Sequence, residues 1–149
     1  MTTPLSDSDI RPGERISALP GAFDAGLYFI GRIRTPWPTR ADCPHHGDLD
    51  GPVCRLEIDP RWAPALEGLA RRPFLQVLYF MHLSRRDLLV QTPRSRPSPV
   101  GTFAIRSPAR PNPIASARVR LETIEATTVF VRGIDCMDGT PLLDLKPEA

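Results

Sequence analysis

Short stretches in which apolar and polar residues alternate recur along the chain, a pattern typical of β-strands with one buried face. The alternation is clearest over 117–124, where Ala117, Val119, Leu121 and Thr123 are predicted to face one way and Arg118, Arg120 and Glu122 the other. Further strands are predicted at 27–34, 53–58, 74–81, 88–91, 101–106, 128–134 and 142–145. The β-branched content and close spacing of these strands favour an antiparallel sheet or barrel.

One segment has a helical pattern instead. Over 60–70, apolar residues recur at helical spacing behind a proline in the first turn, which predicts a short helix. The connection at 35–52 is rich in Pro, Asp, His and Gly and is longer than a structural link between two strands requires. We therefore interpret it as a candidate binding loop.

Proline makes up 18 of the 149 residues, more than double its usual share of about 5%. The proline runs at 36–38, 93–99 and 108–113 cannot continue a helix or a central strand, because proline lacks the amide donor. They are predicted to be turns or extended loops. The expected fold class is therefore mainly all-β, with one or two short helices.

The length suits about one domain. The longest apolar run, 77–81, is far shorter than the roughly 20 residues that cross a bilayer, so no membrane-spanning helix is predicted. Residues 1–25 have neither a sustained period nor the apolar core of a secretory signal, and we expect a flexible arm before a domain at 26–149. Three cysteines without CxxC spacing predict reduced thiols and a cytoplasmic protein.

Charge is unevenly distributed along the chain. Residues 71–120 contain ten arginines and one acid, a charge of +9, whereas the whole chain carries only +2. A polyanionic partner explains such a cluster, and nucleic acid is the commonest one. For any single arginine the alternative is a solvated position in a protein that uses arginine where others use lysine.

Motifs narrow the possible chemistry. The chain has no GxGxxG after a strand and no GxxxxGK[ST], so neither a Rossmann nucleotide site nor a P-loop is predicted. Cys43, His45 and His46 have the wrong spacing for most zinc sites, which favours a polar or substrate-binding loop and no metal. His82 follows a predicted buried strand and is either a capping or hydrogen-bonded core histidine or a site residue.

Two segments carry the strongest signals. Three prolines and an asparagine within 108–114 predict a rigid extended loop, and the arginines Arg106 and Arg110 beside it suit an anionic or planar ligand. Asp138 and Gly139 predict a tight turn between strands.

These segments resemble a known family. RSPARPNPI at 106–114, DCMDGTPLLDLKP at 135–147 and IGRIRTP at 30–36 resemble the TsaA-like family of tRNA methyltransferases, which methylate N6 of threonylcarbamoyladenosine beside the anticodon. The resemblance covers roughly 27–148. It implies a small antiparallel β-barrel that binds S-adenosylmethionine without a Rossmann domain, as a homodimer with the cofactor near the subunit interface.

The resemblance also implies site residues. The family's cofactor contacts fall on Pro44, His45, His46, His82, Leu83, Arg106, Asp138, Gly139, Thr140 and Pro141. His82 and Asp138 are the candidates for removing the proton of the acceptor nitrogen. Arg106 is assigned to a carboxylate of cofactor or substrate or to tRNA phosphate, and the substrate and RNA contacts are assigned to Arg110, Asn112, Arg118 and Arg120.

Where the family usually has Pro-Arg-Gln, this chain has Pro44-His45-His46, and Ala115 replaces a usual glycine. Two alternatives therefore stay open: a methyltransferase for another RNA or a small molecule, and a non-catalytic module that binds S-adenosylmethionine or RNA.

Overall fold

The computed structural model describes residues 10–96 and 98–148, in which nine strands lie. They are β1 Arg15–Ile16, β2 Gly31–Arg34, β3 Cys54–Ile58, β4 Phe74–Phe80, β5 Leu88–Gln91, β6 Val100–Gly101, β7 Ile114–Glu125, β8 Thr128–Arg132 and β9 Thr140–Pro147. The strands predicted at 53–58, 74–81, 88–91 and 128–134 are confirmed to within two residues at each end. β2 is shorter than its predicted range, and β7 and β9 are longer.

Residues 27–80 and 116–148 form a unit around a closed barrel. The strand order is β2-β3-β8-β7-β4-β9, and the pairs β2–β3, β3–β8, β7–β8, β4–β9 and β2–β9 are antiparallel. The mainly all-β class and the small antiparallel barrel are therefore confirmed.

Alternation builds the barrel core. In β4, Leu75, Val77 and Tyr79 are buried while the residues between them are half-buried. Every second residue of a strand points to the same face, so this pattern directs one set of side chains inward. Ile33, Leu56, Val129, Val131 and Leu142 complete the interior from the other strands.

β7 follows its predicted alternation only in part. Val119 is fully buried, as predicted, but Thr123 is exposed. The reason is a bulge: Leu121 lies opposite Val131 and Thr123 lies opposite Phe130, so one residue of β7 is left unpaired. The extra residue moves the inward position from Thr123 to Ile124, which lies opposite buried Val129.

Residues 10–26 and 81–115 form the second unit, with a three-stranded sheet in the order β1-β5-β6. β1 falls within the segment 1–25, in which no strand was predicted, and the Glu14 carboxylate accepts from the Thr92 amide at 2.9 Å. The flexibility of the segment stays a prediction, and its residues 1–9 lie outside the described ones.

The prediction of a strand at 101–106 is wrong. Only Val100–Gly101 pairs with β5, and Thr102–Ala104 is a 3-10 turn. The buried Thr102 hydroxyl donates to the Leu88 carbonyl at 2.8 Å and accepts from the Gln91 amide at 2.9 Å. These side-chain hydrogen bonds turn the chain away from the sheet.

The helix predicted at 60–70 forms as two 3-10 segments, Pro60–Leu66 and Leu69–Arg71. The Asp59 side chain caps the first by accepting from the Arg61 amide at 3.0 Å. Gly68, at φ +84°, separates the two, because the left-handed conformation interrupts a helix. Among the described residues, no helix combines the length and the apolar character needed to cross a membrane.

All three cysteines are free thiols. Burial raises the pKa of Cys54 to about 11, and burial is also the main reason that the pKa of Cys136 rises to about 12. Both thiols therefore stay protonated and act as small apolar core residues.

The backbone of β3 leaves no room for a side chain at Gly31 of β2, and we predict that Gly31→Ala destabilises the barrel. A Cβ at this position would overlap the Glu57 carbonyl group, so the strands must separate. Such overpacking costs about 1–3 kcal/mol, which lowers Tm by roughly 3–10 °C in a chain of this size. Differential scanning calorimetry measures the shift.

The matched control is Gly101→Ala in β6, where a Cβ would meet no atom within 4 Å. Its Tm should stay within about 2 °C of the parent, since surface changes of this kind alter stability by about 0.5 kcal/mol or less. Equal shifts in the two variants would contradict the close approach of β2 and β3.

Candidate functional site

The start of the long loop is latched to the turn that precedes β9. The Asp138 amide donates to the Trp37 carbonyl at 2.7 Å, and the Thr35 amide donates to the Asp138 carboxylate at 3.0 Å. The Thr35 hydroxyl donates to the Cys136 carbonyl at 2.8 Å. Asp138 is one of the site residues that the sequence predicts. Thr35 is not, because its only signal is its place directly after a strand.

The turn itself is tight, as predicted. Gly139 has φ +82°, a left-handed conformation that favours glycine, and its amide donates to the Ile33 carbonyl at 2.8 Å. The Thr140 hydroxyl donates to the Met137 carbonyl at 2.6 Å. Asp138 is exposed, whereas Thr140 and Pro141 are buried, so the turn offers its carboxylate to solvent from a rigid backbone.

The segment Pro44-His45-His46 is exposed on the long loop. On one side of it, the partly buried Cys43 has a raised pKa, mainly through burial and then through the charge of Asp135. On the other side, Gly47 lies so close to Gly133 that a Cβ on Gly47 would overlap the Gly133 carbonyl. The loop therefore runs along residues 133–136, just before the turn at Asp138.

Two arginines hold the far end of the same loop. Arg120 in β7 and Arg132 in β8 lie opposite each other across the strands. Arg120 donates to the Leu49 carbonyl at 3.2 Å and contacts the Asp50 carboxylate at 3.4 Å. Arg132 donates to the Gly51 carbonyl at 2.6 Å and to the Glu122 carboxylate at 2.9 Å.

Arg118, the other barrel arginine expected to contact RNA, also has partners within the chain. Its guanidinium lies 4.0 Å from the centre of the Phe74 ring and donates to the Glu148 carboxylate at 2.6 Å. Arg118 and Arg120 must give up or share these contacts to bind a phosphate. The sequence reading missed Arg132, because a lone arginine in an acidic segment gives no signal.

In the other unit, His82 and Leu83 lie in a turn closed by the Ser84 amide, which donates to the Met81 carbonyl at 3.0 Å. The Met81 amide donates to the Pro113 carbonyl at 2.8 Å, so this turn is joined to the proline-rich loop. His82 is half-buried and the Leu83 side chain is 54% exposed.

Side chains hold the proline-rich loop in place. Arg110 donates to the carbonyls of Ile105 and Ser107 at 3.0 and 3.1 Å, and buried Gln91 donates to the Ala109 carbonyl at 2.6 Å. Arg110 therefore makes its hydrogen bonds near its own loop. Arg106 and Asn112 are exposed, and Arg106 also interacts with another group of the chain. The sequence reading did not identify Gln91, which lies on a strand distant in sequence.

The predicted residues thus fall into two groups. The barrel unit carries Pro44, His45, His46, Arg118, Arg120, Asp138, Gly139, Thr140 and Pro141, and the other unit carries His82, Leu83, Arg106, Arg110 and Asn112. Over 10–96 and 98–148, no three His, Cys, Asp or Glu side chains are grouped closely enough to hold a metal ion.

Comparison with known proteins places this geometry in a family. The model of the tRNA-methyltransferase O N-terminal domain matches residues 32–148. A probable S-adenosyl-L-methionine-binding protein, VirR of Rhizobium radiobacter, is 45% identical over 144 residues, covering 97% of this chain and 82% of that protein. A mouse tRNA (adenine(37)-N6)-methyltransferase is 37% identical over 86 residues, covering 56% of this chain and 20% of that protein.

Solved structures support the same family. A crystal structure of TrmO from Pseudomonas aeruginosa superposes with a TM-score of 0.68 at 33% identity, covering 85% of this chain and 56% of that one. The chain thus spans somewhat more than half the length of the solved structures it matches. The family match includes the barrel strands apart from Gly31 at the start of β2, together with the loop at 35–52 and the turn at Asp138, and the chain therefore belongs to the tRNA-methyltransferase O N-terminal domain family.

Proposed function

We propose that this protein is an S-adenosylmethionine-dependent methyltransferase that methylates N6 of threonylcarbamoyladenosine next to the tRNA anticodon. The observation that carries the proposal is the family match over 32–148, together with the latch that joins Thr35 and Asp138 within it. The mouse relative is named as a methyltransferase of adenine 37 in tRNA, and several relatives are named for binding S-adenosyl-L-methionine.

The residues that we assign to the cofactor are Pro44, His45, His46, His82, Leu83, Arg106, Asp138, Gly139, Thr140 and Pro141. Their chemistry fits a ligand that carries a sulfonium, a carboxylate and an adenine, because an exposed Asp138 carboxylate suits a positive centre and an exposed Arg106 guanidinium suits a carboxylate. When bound, S-adenosylmethionine supplies an electrophilic methyl group.

The residues of this chain then have to orient the acceptor and take up a proton. Asp138 suits this role because the Thr35 amide fixes one carboxylate oxygen while the residue stays exposed. His82, held in its turn beside the proline-rich loop, is the second candidate. Positioning contributes much of the rate in such a displacement, so the latched loop and turn matter as much as the proton acceptor.

We further propose that the protein is a cytoplasmic homodimer, in keeping with a tRNA substrate. Support for the dimer comes from the resemblance of the sequence motifs to the TsaA-like family, which implies a homodimer with the cofactor near the subunit interface.

A second candidate function is binding of S-adenosylmethionine or RNA without methyl transfer. Two relatives are named as probable S-adenosyl-L-methionine-binding proteins: VirR of Rhizobium radiobacter and a protein of Methanothermobacter thermautotrophicus. These names support the second candidate because they refer to binding. Transfer to a different RNA or to a small molecule is the remaining alternative.

Titration of S-adenosylmethionine into the purified protein, followed by methyl transfer to threonylcarbamoyl-modified tRNA, distinguishes these candidates. We expect saturable binding and transfer that depends on the threonylcarbamoyl group. The same tRNA without that group is the control substrate. Binding without transfer to either tRNA would support the second candidate, and no binding would contradict both.

Arg106→Ala tests the arginine assigned to a carboxylate. Loss of a charged hydrogen bond costs about 1.5–3 kcal/mol, so we expect roughly 10- to 100-fold weaker cofactor binding in calorimetry if Arg106 holds the cofactor. A raised KM for tRNA at unchanged cofactor affinity would assign it to the substrate instead.

Arg94→Ala is the matched control, because Arg94 is an exposed arginine in the same unit and its removal changes the net charge equally. If Arg106→Ala matches this control in both affinity and turnover, the assignment of Arg106 is wrong.

Salt dependence tests the RNA contact. The logarithm of the tRNA association constant should fall linearly with that of the salt concentration, by about 0.7–0.9 for each phosphate neutralised. Since Arg110, Arg118 and Arg120 have partners within the chain, we expect a slope that corresponds to fewer contacts than the +9 charge of residues 71–120 suggests. Filter binding from 50 to 200 mM salt measures it, and a flat response would contradict an electrostatic RNA contact.

A further inference from the structure

A row of three large side chains crosses the outside of the barrel. Arg34 in β2 lies opposite Arg55 in β3, and Arg55 lies opposite Phe130 in β8. Their neighbours along each strand, such as Ile33, Leu56 and Val129, are fully buried, so the three residues of the row point outward.

The row lies in an open cleft of about 710 Å³. Pro36, Pro52 and Val53 form apolar walls, and Asp138 of the latched turn also lines the cleft. This volume is within the usual range for small-ligand sites, about 300–1,000 Å³.

Two arginines opposite each other on paired strands repel, which destabilises the pairing. Arg34 is compensated, because its Nε donates to the Glu57 carboxylate at 2.5 Å. Arg55 is exposed, and in the part of the chain that the structure describes no hydrogen bond or ion pair joins its side chain. The pKa of Arg34 is raised, mainly by its hydrogen bond to Glu57, and the charge of Asp138 also acts on Arg34. Both carboxylates near the row therefore act on Arg34, and Arg55 is the arginine whose donors are available to a ligand in the cleft.

The same barrel contains a comparable pair that is fully compensated. Arg120 and Arg132 also lie opposite each other, but Asp50 and Glu122 each neutralise one of them, and the carbonyls of Leu49 and Gly51 accept further hydrogen bonds. Both arginines of that pair thus have partners within the chain, whereas the Arg55 side chain faces an open cleft.

The remaining chemistry of the cleft indicates what fills it. Phe130 is half-exposed on a strand surface, where an aromatic ring offers a stacking face to a planar base. Guanidinium groups bind phosphate and also stack on flat rings. A nucleotide whose base stacks on Phe130 and whose phosphate contacts Arg55 matches both the aromatic surface and the available guanidinium group of the cleft.

We propose that the row Arg34, Arg55 and Phe130 binds one unpaired nucleotide of the RNA substrate. The inference rests on the proposed function for its choice of RNA, and it adds where that RNA lies: in the cleft that Asp138 also lines. The nucleotide's base stacks on Phe130, and Arg55 contributes one phosphate contact.

Fluorescence anisotropy with a labelled anticodon stem-loop RNA tests the row. Arg55→Ala should weaken binding roughly fivefold to tenfold and reduce the salt slope by about 0.7–0.9, the value for one phosphate. Phe130→Leu should weaken binding by a similar factor without changing the slope, because stacking carries no charge. Phe130→Trp keeps an aromatic face and should retain the affinity.

Arg61→Ala is the matched control, since its side chain is 73% exposed and its Nε lies 3.6 Å from the Asp59 carboxylate. It removes the same charge and should weaken binding less than twofold. Equal losses in Arg55→Ala and Arg61→Ala would overturn the inference, because they would reflect net charge alone. Parent-like binding in Arg55→Ala and Phe130→Leu would overturn it as well.

Cofactor affinity and methyl transfer, measured on the same samples, separate this inference from the proposed function. Arg55→Ala should bind S-adenosylmethionine as the parent does, and a loss of cofactor affinity would overturn the inference by assigning the cleft to the cofactor. If the parent protein transfers no methyl group but the RNA affinities follow the expected order, the proposed function fails and the nucleotide site stands.

Discussion

The pairing of β9 with two strands at once is the constraint on which the barrel unit depends. β9 lies against β2 through Gly31, Arg32 and Ile33 and against β4 along most of its length, so it closes the barrel. Because β9 begins at Thr140, closure also fixes the turn before it, and the amide of Gly139 reaches the carbonyl of Ile33. The most distinctive segment of the family therefore serves both the fold and the candidate site.

The site loops are held mainly through backbone carbonyls. Gln91 and Arg110 donate to carbonyls of the proline-rich loop, and Arg120 and Arg132 donate to carbonyls of the long loop. Proline-rich segments cannot pair all of their carbonyls with backbone amides, so side-chain donors have to supply hydrogen bonds. Long polar side chains, three of them on strands and Arg110 within its own loop, thus supply the hydrogen bonds that a regular ladder would supply and stabilise the loops.

Arginine consequently has two uses in this protein. Arg110, Arg118, Arg120 and Arg132 interact with carbonyls and carboxylates of the chain itself, whereas Arg55 is exposed and no hydrogen bond or ion pair joins its side chain among the described residues. For the proposed RNA contact, arginines that already have partners supply fewer phosphate contacts than the charge of residues 71–120 suggests. The proposed nucleotide row lies outside residues 71–120. Its two arginines, Arg34 and Arg55, come from the paired strands β2 and β3.

The sequence by itself determined the strand class, most strand positions and the family, because alternation has a period of two and the family motifs are local strings of residues. It did not reveal the 3-10 turn at Thr102, the bulge that turns Thr123 outward, or the partners of Arg120. All three features depend on contacts between different segments of the chain. Thr102 turns because it bonds to the Leu88 carbonyl and to Gln91, and Thr123 is exposed because it lies opposite Phe130. Arg120 is bound by the carbonyl of Leu49. The row of Arg34, Arg55 and Phe130 cannot be found from the pattern of any single strand. The register of the closed barrel decides which side chains of neighbouring strands lie side by side, and it places these three in one row.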